Sequence, residues 1–262
     1  MIASILTAGT VTLTRLAPPI DSAAHITSVH RRLERFFTDV RLNQAEVARL
    51  VVAALSLAAK PWHLAIDRTN WPFGKIDLNL LVLSLAHGDV CIPLFWRVLD
   101  KAGNSHTAER IDLMPVFKAT FPDQAVASLT GDREFIGNAW IEWLQQAAIP
   151  HFLRLREDMP VFNDGHAPLP LRQHAARLRP GERLVLKGCW RIGVSEPNAS
   201  PPVRIVILRL KTGERLIIAS RSRPQHALNI YRQRWKIETL FAALKTRGFN
   251  LEATHMTDPA KL

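Results

Sequence analysis

Two aspartates follow short apolar segments whose pattern is that of β-strands. Asp67 comes directly after His63–Ile66, and Asp132 comes shortly after Ala125–Leu129. Carboxylates at strand ends are well placed to build a polar site, because the loops there converge in open α/β sheets. For each aspartate taken alone, a turn residue that caps a helix is the commoner explanation. A third acidic element is needed before a site can be predicted.

That third element lies near the C-terminus. Tyr231, Arg234, Glu238 and Lys245 are separated by three, four and seven residues. On one helix over His226–Arg247 they would fall along a single stripe, beside an apolar face. An amphipathic helix with a solvated basic edge is the alternative explanation of this spacing.

The same four residues complete a known signature. Tyr-x2-Arg-x3-Glu-x6-Lys is the pattern of the insertion-sequence 4 family of bacterial transposases, and the chain resembles that family over about residues 61–262. The segments 67–71 (Asp-Arg-Thr-Asn-Trp) and 131–135 (Gly-Asp-Arg-Glu-Phe) resemble it as well. Three separated motifs in the right order argue against a chance match.

The resemblance implies a fold and a set of roles. The fold would be α/β and ribonuclease-H-like: a mixed sheet flanked by helices, with a β-rich insertion before the last catalytic helix. Asp67, Asp132 and Glu238 would be the catalytic, metal-binding triad for two Mg²⁺ or Mn²⁺ ions, which both accept carboxylate oxygens.

The remaining site residues would contact DNA. By resemblance, Arg234 and Lys245 contact phosphates of the transposon end, and Tyr231 does the same or orients Glu238. Family members hold a flipped base against an aromatic residue of the insertion, and Trp190 is the only tryptophan there. A buried structural role is the alternative for Trp190.

The implied activity is cut-and-paste DNA transposition. Water nicks the transposon end, the freed 3′ hydroxyl forms a hairpin on the opposite strand, and the reopened end attacks target DNA. Every step is a phosphoryl transfer, so positioning and charge stabilisation supply most of the rate enhancement. The partners would be double-stranded DNA, as terminal inverted repeats and target, and a second copy of the chain in a synaptic homodimer.

Charge supports a polyanionic partner. The 262 residues carry a net charge of +11, and twelve Lys or Arg against three Glu lie between Arg172 and Arg223, a local net of +9. Such clustering is typical of nucleic-acid binding, whereas a solvated charged surface is the plainer explanation.

Hydrophobic periodicity predicts the elements that must position these residues. Helical patterns cover 28–40 and 43–60, where Asn43 is a candidate cap, and residues 1–60 would form a helical N-terminal segment. Residues 61–262 would form the catalytic domain, with a β-rich basic insertion over 157–223. Its expected order is strand, strand, strand, helix, strand, helix, strand. The predicted ranges are 63–66, 76–86, 90–96, 107–121, 125–129, 136–147 and 151–156, followed by insertion strands at 184–186, 203–210 and 216–219.

Composition excludes several classes of protein. The sequence has no run of about 18 apolar residues, the length that a membrane span needs, and the N-terminus has no signal-peptide pattern. Cys91 and Cys189 lack metal-ligand spacing and are expected to be buried thiols in a reducing compartment. Together with the family resemblance, these features imply a cytoplasmic, nucleoid-associated bacterial protein.

Two other functions remain compatible with the sequence. Only about 60 residues precede the first strand, and the chain stops soon after the last helix, so a truncated DNA-binding remnant without transposition activity is one alternative. A stand-alone metal-dependent nuclease using the same triad is the other.

Overall fold

The structure is a computed structural model that describes residues 1–73, 76–196 and 199–253. Its centre is an eight-stranded mixed sheet, in which five strands from the first part of the domain are followed by three from later in the chain. The first five strands are β1 (Trp62–Phe73), β2 (Ile76–His87), β3 (Val90–Leu99), β4 (Val126–Gly131) and β5 (His151–Leu155).

The first three strands form an antiparallel meander, and β4 and β5 then run parallel to β1. Gly88 lies in the turn between β2 and β3 with φ 53°, a backbone conformation that favours glycine. The parallel strands need long crossovers. These are α5 (Thr107–Thr120), between β3 and β4, and α6 (Asn138–Gln146), between β4 and β5. The predicted mixed α/β sheet and its element order are confirmed.

The β-rich segment expected over 157–223 is present, but three of its strands enlarge the central sheet. β11 (Arg215–Ser220) pairs with β5, and β10 (Arg204–Arg209) and β8 (Arg183–Val185) continue outward. Three others form a second small sheet: β6 (Pro160–Asn163), β7 (His166–Pro170) and β9 (Arg191–Ile192). A short helix, α7 (Leu171–His174), follows β7. Alternation within a strand cannot show which edge it joins, because that depends on distant partners.

The N-terminal residues are helical, as expected. The helices are α1 (Ile2–Ala8), α2 (Leu13–Leu16), α3 (Ile26–Asp39) and α4 (Gln44–Ala54). Asn43 caps α4 as predicted, since its side-chain oxygen accepts from the backbone N–H of Ala45 at 2.9 Å. The helix is shorter than the pattern suggested, because Ser56 adopts a left-handed φ of 52°. No helix in the described ranges is long and apolar enough to cross a membrane.

Helices cover both faces of the sheet. On one face α5 and α6 bury aromatic side chains such as Phe117 and Trp140 against Trp62. Full burial of each such side chain contributes about 1.5–3 kcal/mol. The other face carries α8 (Ala227–Tyr231) and α9 (Lys236–Lys245). Alternation along β1 separates the two faces, so Leu64 and Ile66 pack toward α5 while Ala65 packs toward α9.

His151, at the start of β5, is a buried packing residue. Its Nδ1 lies 3.1 Å from the carbonyl of Ile149, and Nε2 is buried without a partner among the described residues. Burial lowers its pKa from 6.5 to about 4. Between those pH values the unfolded chain binds a proton that the folded chain does not.

Acid should therefore destabilise the protein through His151. We expect the free energy of unfolding to fall by about 3 kcal/mol on this account as pH drops from 7 to 4. His151→Asn, whose amide can still donate to Ile149, should lack this component. Urea unfolding at several pH values measures the difference; equal pH slopes for the two proteins would contradict it.

Candidate active site

Asp67 lies within β1 and not at its end, which corrects the predicted strand boundary. The strand continues to Phe73 because β2 pairs with it throughout. Its parallel pairing with β4 stops at Ile66 and Gly131. Asp67 and Asp132 are therefore the next residues on adjacent strands, where β4 leaves the sheet.

Gly131 is required by packing at this position. A Cβ there would lie 2.9 Å from the Cβ of Phe135 and 3.3 Å from Cγ2 of Ile66. The first distance is too short for any real Cβ and the second is tight, so a side chain here would shift the turn. Glycine therefore lets β4 approach β1 closely just before Asp132.

An ion pair connects the segments that follow the two aspartates. Arg68 Nε donates to Glu134 Oε1 at 3.2 Å, and its Nη1 donates to Asn79 at 3.0 Å. Glu134 also lies in the first turn of a short 3-10 helix, Arg133–Phe135. This contact fixes β1 to the loop after β4, and so fixes Asp67 relative to Asp132.

The predicted helix over 226–247 is interrupted. Between α8 and α9 the residues Arg232–Trp235 form a 3-10 turn. Tyr231, Arg234 and Ile237 are all buried, at 0%, 4% and 0% exposure. A spacing of three matches the three residues per turn of a 3-10 helix, so the interruption keeps all three side chains on the sheet. The helix also ends at Lys245, two residues before the predicted end at Arg247.

Arg234 connects two of the three carboxylates. Its Nη1 donates to Asp67 Oδ2 at 2.8 Å, and its Nη2 donates to Glu238 Oε1 at 2.6 Å. The Glu238 side chain is 60% exposed, so it faces solvent at the edge of the buried stripe. Residues 167 positions apart in the chain thus meet through one guanidinium.

Asp132 meets the same segment through Tyr231. The Tyr231 hydroxyl donates to Asp132 Oδ1 at 3.3 Å, and Arg154 Nη1 lies 3.6 Å from that oxygen. Arg154 also donates to Glu214 at 2.5 Å. Sequence analysis missed Arg154; its only signal is that it is the one charged residue of the otherwise apolar strand β5.

Burial and neighbouring charges oppose each other in the electrostatics of the site. Burial raises the pKa of Asp67 to about 6, against the opposing effects of Arg234 and the Arg68 N–H. Burial alone would lower the pKa of Arg234, but the neighbouring acidic groups outweigh it and raise that pKa. A buried, partly neutralised carboxyl is a common feature of functional sites.

The carboxylates suit a divalent ion in type. All three would offer oxygen donors, which Mg²⁺ and Mn²⁺ prefer, and the cationic guanidinium of Arg234 lies between two of them. In the ranges that the structure describes, no three acidic, histidine or cysteine side chains are already grouped tightly enough to hold an ion. The side chain of Arg234 or Glu238 would have to move before the three carboxylates could hold an ion together.

Lys245 and Trp190 lie apart from this cluster. Lys245 Nζ donates to the carbonyl of Asn70 at 2.5 Å, near the end of β1. Trp190 is 4% exposed, between the rings of His166 and His174, and its Nε1 donates to Lys187. None of its described contacts is with the three carboxylates. Stacking on a flipped base would require the ring to leave this position.

Comparison with known proteins agrees with the geometry. The family described as "Transposase DDE domain" matches residues 58–262. No curated protein matches the chain. Among solved structures, a piggyBac transposase in a synaptic complex with hairpin DNA is similar, with a TM-score of 0.52 and 10% identity. The similarity covers 98% of this chain and 59% of that one, and at such identity it bears on the fold alone. The expected ribonuclease-H-like fold is thereby confirmed.

Proposed function

The chain belongs to the transposase DDE domain family, and on that premise we propose that it catalyses cut-and-paste DNA transposition as a bacterial insertion-sequence 4 type enzyme. Residues 61–262 form the proposed catalytic domain. The observation that carries the proposal is the double contact of Arg234 with Asp67 and Glu238, since it brings the first and last motifs together on one face of the sheet.

Asp67, Asp132 and Glu238 are the proposed ligands of two Mg²⁺ or Mn²⁺ ions. Such a pair of ions, when bound, activates the attacking oxygen and stabilises the leaving one. Asp67 and Asp132 are held on adjacent strands, whereas Glu238 is exposed and free to adjust. The buried turn with Tyr231 and Arg234 orients Glu238.

The basic side chains would position the DNA. Arg234 exchanges its carboxylate partners for a phosphate of the transposon end, and Lys245 contacts a phosphate near the end of β1. Arginine is suited to this exchange because its guanidinium makes paired hydrogen bonds to carboxylates and phosphates alike. The proposed partners are terminal inverted repeats, target DNA and a second protomer. The proposed location is the bacterial cytoplasm and nucleoid.

Nicking of a labelled duplex that carries the element's own terminal repeat tests the proposal. We expect Mg²⁺-dependent cleavage at the repeat boundary and none with EDTA. Binding without cleavage would identify a DNA-binding remnant instead. Cleavage without preference for the boundary would identify a metal-dependent nuclease. Absence of DNA binding would contradict the proposal as a whole.

The basic segment 172–223 should make DNA binding depend steeply on salt. Several of its side chains, among them Arg172, Arg177, Arg204 and Lys211, make no ion pair in the described structure. If about six such groups contact phosphates, affinity should fall about a thousandfold between 50 and 200 mM salt. Fluorescence anisotropy of a labelled duplex measures this.

The double variant Arg172→Gln/Arg177→Gln refines the salt experiment. Removal of two phosphate contacts should make the slope of log affinity against log salt shallower by about two. A flat salt response of the wild-type chain would exclude this surface as the main DNA contact.

A further inference from the structure

A cavity of about 360 Å³ opens beside the candidate active site. Its described lining residues are His63 at the start of β1, the turn into α8, and the 3-10 turn that leads to Arg234: His63, Arg223, His226, Asn229, Ile230 and Gln233. At roughly 30 Å³ per water, it has room for a hydrated anion.

The cavity is built for negative charge. None of its described lining residues is acidic, and Arg223 and His226 make no ion pair in the described part of the chain. Lys236 Nζ donates to Gln233 Oε1, so another cationic side chain contacts the lining. Burial, and then the charge of Lys236, lower the pKa of His63, so this ring contributes as a neutral hydrogen-bonding group. A cluster of basic groups without a neutralising carboxylate favours an anionic ligand.

His63 is fixed so that one ring nitrogen remains for a ligand. Its Nδ1 lies 2.7 Å from the Ser128 hydroxyl on the neighbouring strand β4. The other nitrogen, Nε2, is therefore the one that can meet a ligand in the cavity. The Asn229 and Gln233 side chains add neutral amide groups to the same lining.

Arg223 is held in an unusual backbone conformation. Its φ of 56° and ψ of 47° lie in the left-handed region, which arginine adopts rarely. The residue caps the turn Pro224–His226, and its carbonyl accepts from the His226 N–H at 3.0 Å. Such strain is common where a side chain serves a ligand.

The cavity and the carboxylates lie on the same face of the sheet. His63 and Asp67 are four residues apart on β1, a separation of about 13 Å at the usual strand rise. Gln233 directly precedes Arg234 in the 3-10 turn. A duplex advances about 3.4 Å per nucleotide, so this separation corresponds to a few nucleotides.

We infer that this cavity binds a backbone phosphate of DNA, a few nucleotides from the phosphate that reacts. The choice of DNA as the source of the phosphate rests on the proposed function. The site is separate from the three carboxylates, and it would fix the register of the duplex on the catalytic face.

Asn229 offers a matched test, because its side chain is exposed and lines the cavity. Asn229→Glu places a carboxylate there, and Asn229→Gln changes only length. Anisotropy of a labelled duplex with the full chain should show about tenfold weaker binding for Asn229→Glu than for Asn229→Gln, which keeps the amide group. Arg223→Asn, which tolerates the left-handed backbone, should make the salt slope shallower by about one.

Arg49→Gln controls for total charge, since Arg49 is exposed on α4 over the opposite face of the sheet. It should bind as the wild type does, and circular dichroism should show every variant folded. Unchanged affinity and slope in both Asn229→Glu and Arg223→Asn would overturn the inference while leaving the proposed function intact. If inorganic phosphate shifts the His63 imidazole resonances but duplex DNA does not displace it, the ligand is a free phosphate and the DNA assignment is wrong. A wild-type chain that binds no DNA would overturn both proposals.

Discussion

Asp132→Asn should reduce Mg²⁺-dependent nicking by about a thousandfold or more while leaving DNA affinity unchanged. The amide keeps the size of the side chain and can still receive the Tyr231 hydroxyl, but it removes the negative charge that a divalent ion requires. Nicking rates and anisotropy on the same labelled duplex measure the two quantities. The result would assign Asp132 to catalysis and not to folding.

Two further variants sharpen this experiment. Glu238→Gln should behave like Asp132→Asn, because Glu238 is the third proposed ligand. Asp158→Asn changes a surface carboxylate whose one ion pair among the described residues is with Arg156 at 3.6 Å, so its nicking rate should match the wild type. Retained cleavage in Asp132→Asn or Glu238→Gln would remove that residue from the proposed metal site.

Arg234→Met should lower the free energy of unfolding by about 4 kcal/mol at pH 9 without metal, because it leaves the buried Asp67 charge unpaired. The loss should be smaller at pH 7, because the pKa of Asp67 is already about 6 and the unpaired carboxyl takes up a proton there. The Arg234 side chain is 5% exposed and that of Asp67 is 15% exposed, so water replaces the lost partner poorly. Glu238, at 60% exposure, should contribute little to this loss. Urea unfolding in EDTA measures the change.

The double variant Asp67→Asn/Arg234→Met separates charge from packing. It removes both members of the buried pair, so most of the stability lost in Arg234→Met should return. Arg234→Lys keeps one charge and should lie between the two. Additive losses in the double variant would show that the ion pair is not what makes Arg234 important.

Much of the site could be predicted from local sequence motifs. Asp67, Asp132 and the segment from Tyr231 to Glu238 could be singled out because they lie in local motifs that resemble the insertion-sequence 4 family. Residue type and spacing alone left turns, caps or an amphipathic helix as alternatives. The structure brings these residues together, with Arg234 and Tyr231 as the contacts. Their catalytic roles stay predictions, which the variants above test.

Other parts of the site had no local signal. Arg154 reaches Asp132 only because β5 lies beside β4, and the His63 cavity exists only because the turn at Arg223 packs over β1. Trp190 was weighed as a base-stacking residue or a buried one, and its position between two histidine rings depends on the small second sheet.

Sequence alone determined the order of strands and helices, the clustered positive charge and the candidate triad. Hydrophobic period, charge and motif spacing are local properties of the sequence and do not depend on contacts between distant segments. Tertiary structure alone decided that β1 continues past Asp67, that β8, β10 and β11 enlarge the central sheet, and that a 3-10 turn interrupts the last helix. These features depend on pairing and burial between segments far apart in the chain. Burial of Tyr231, Arg234 and Ile237 on one face sets the turn, and no local helix propensity encodes that requirement.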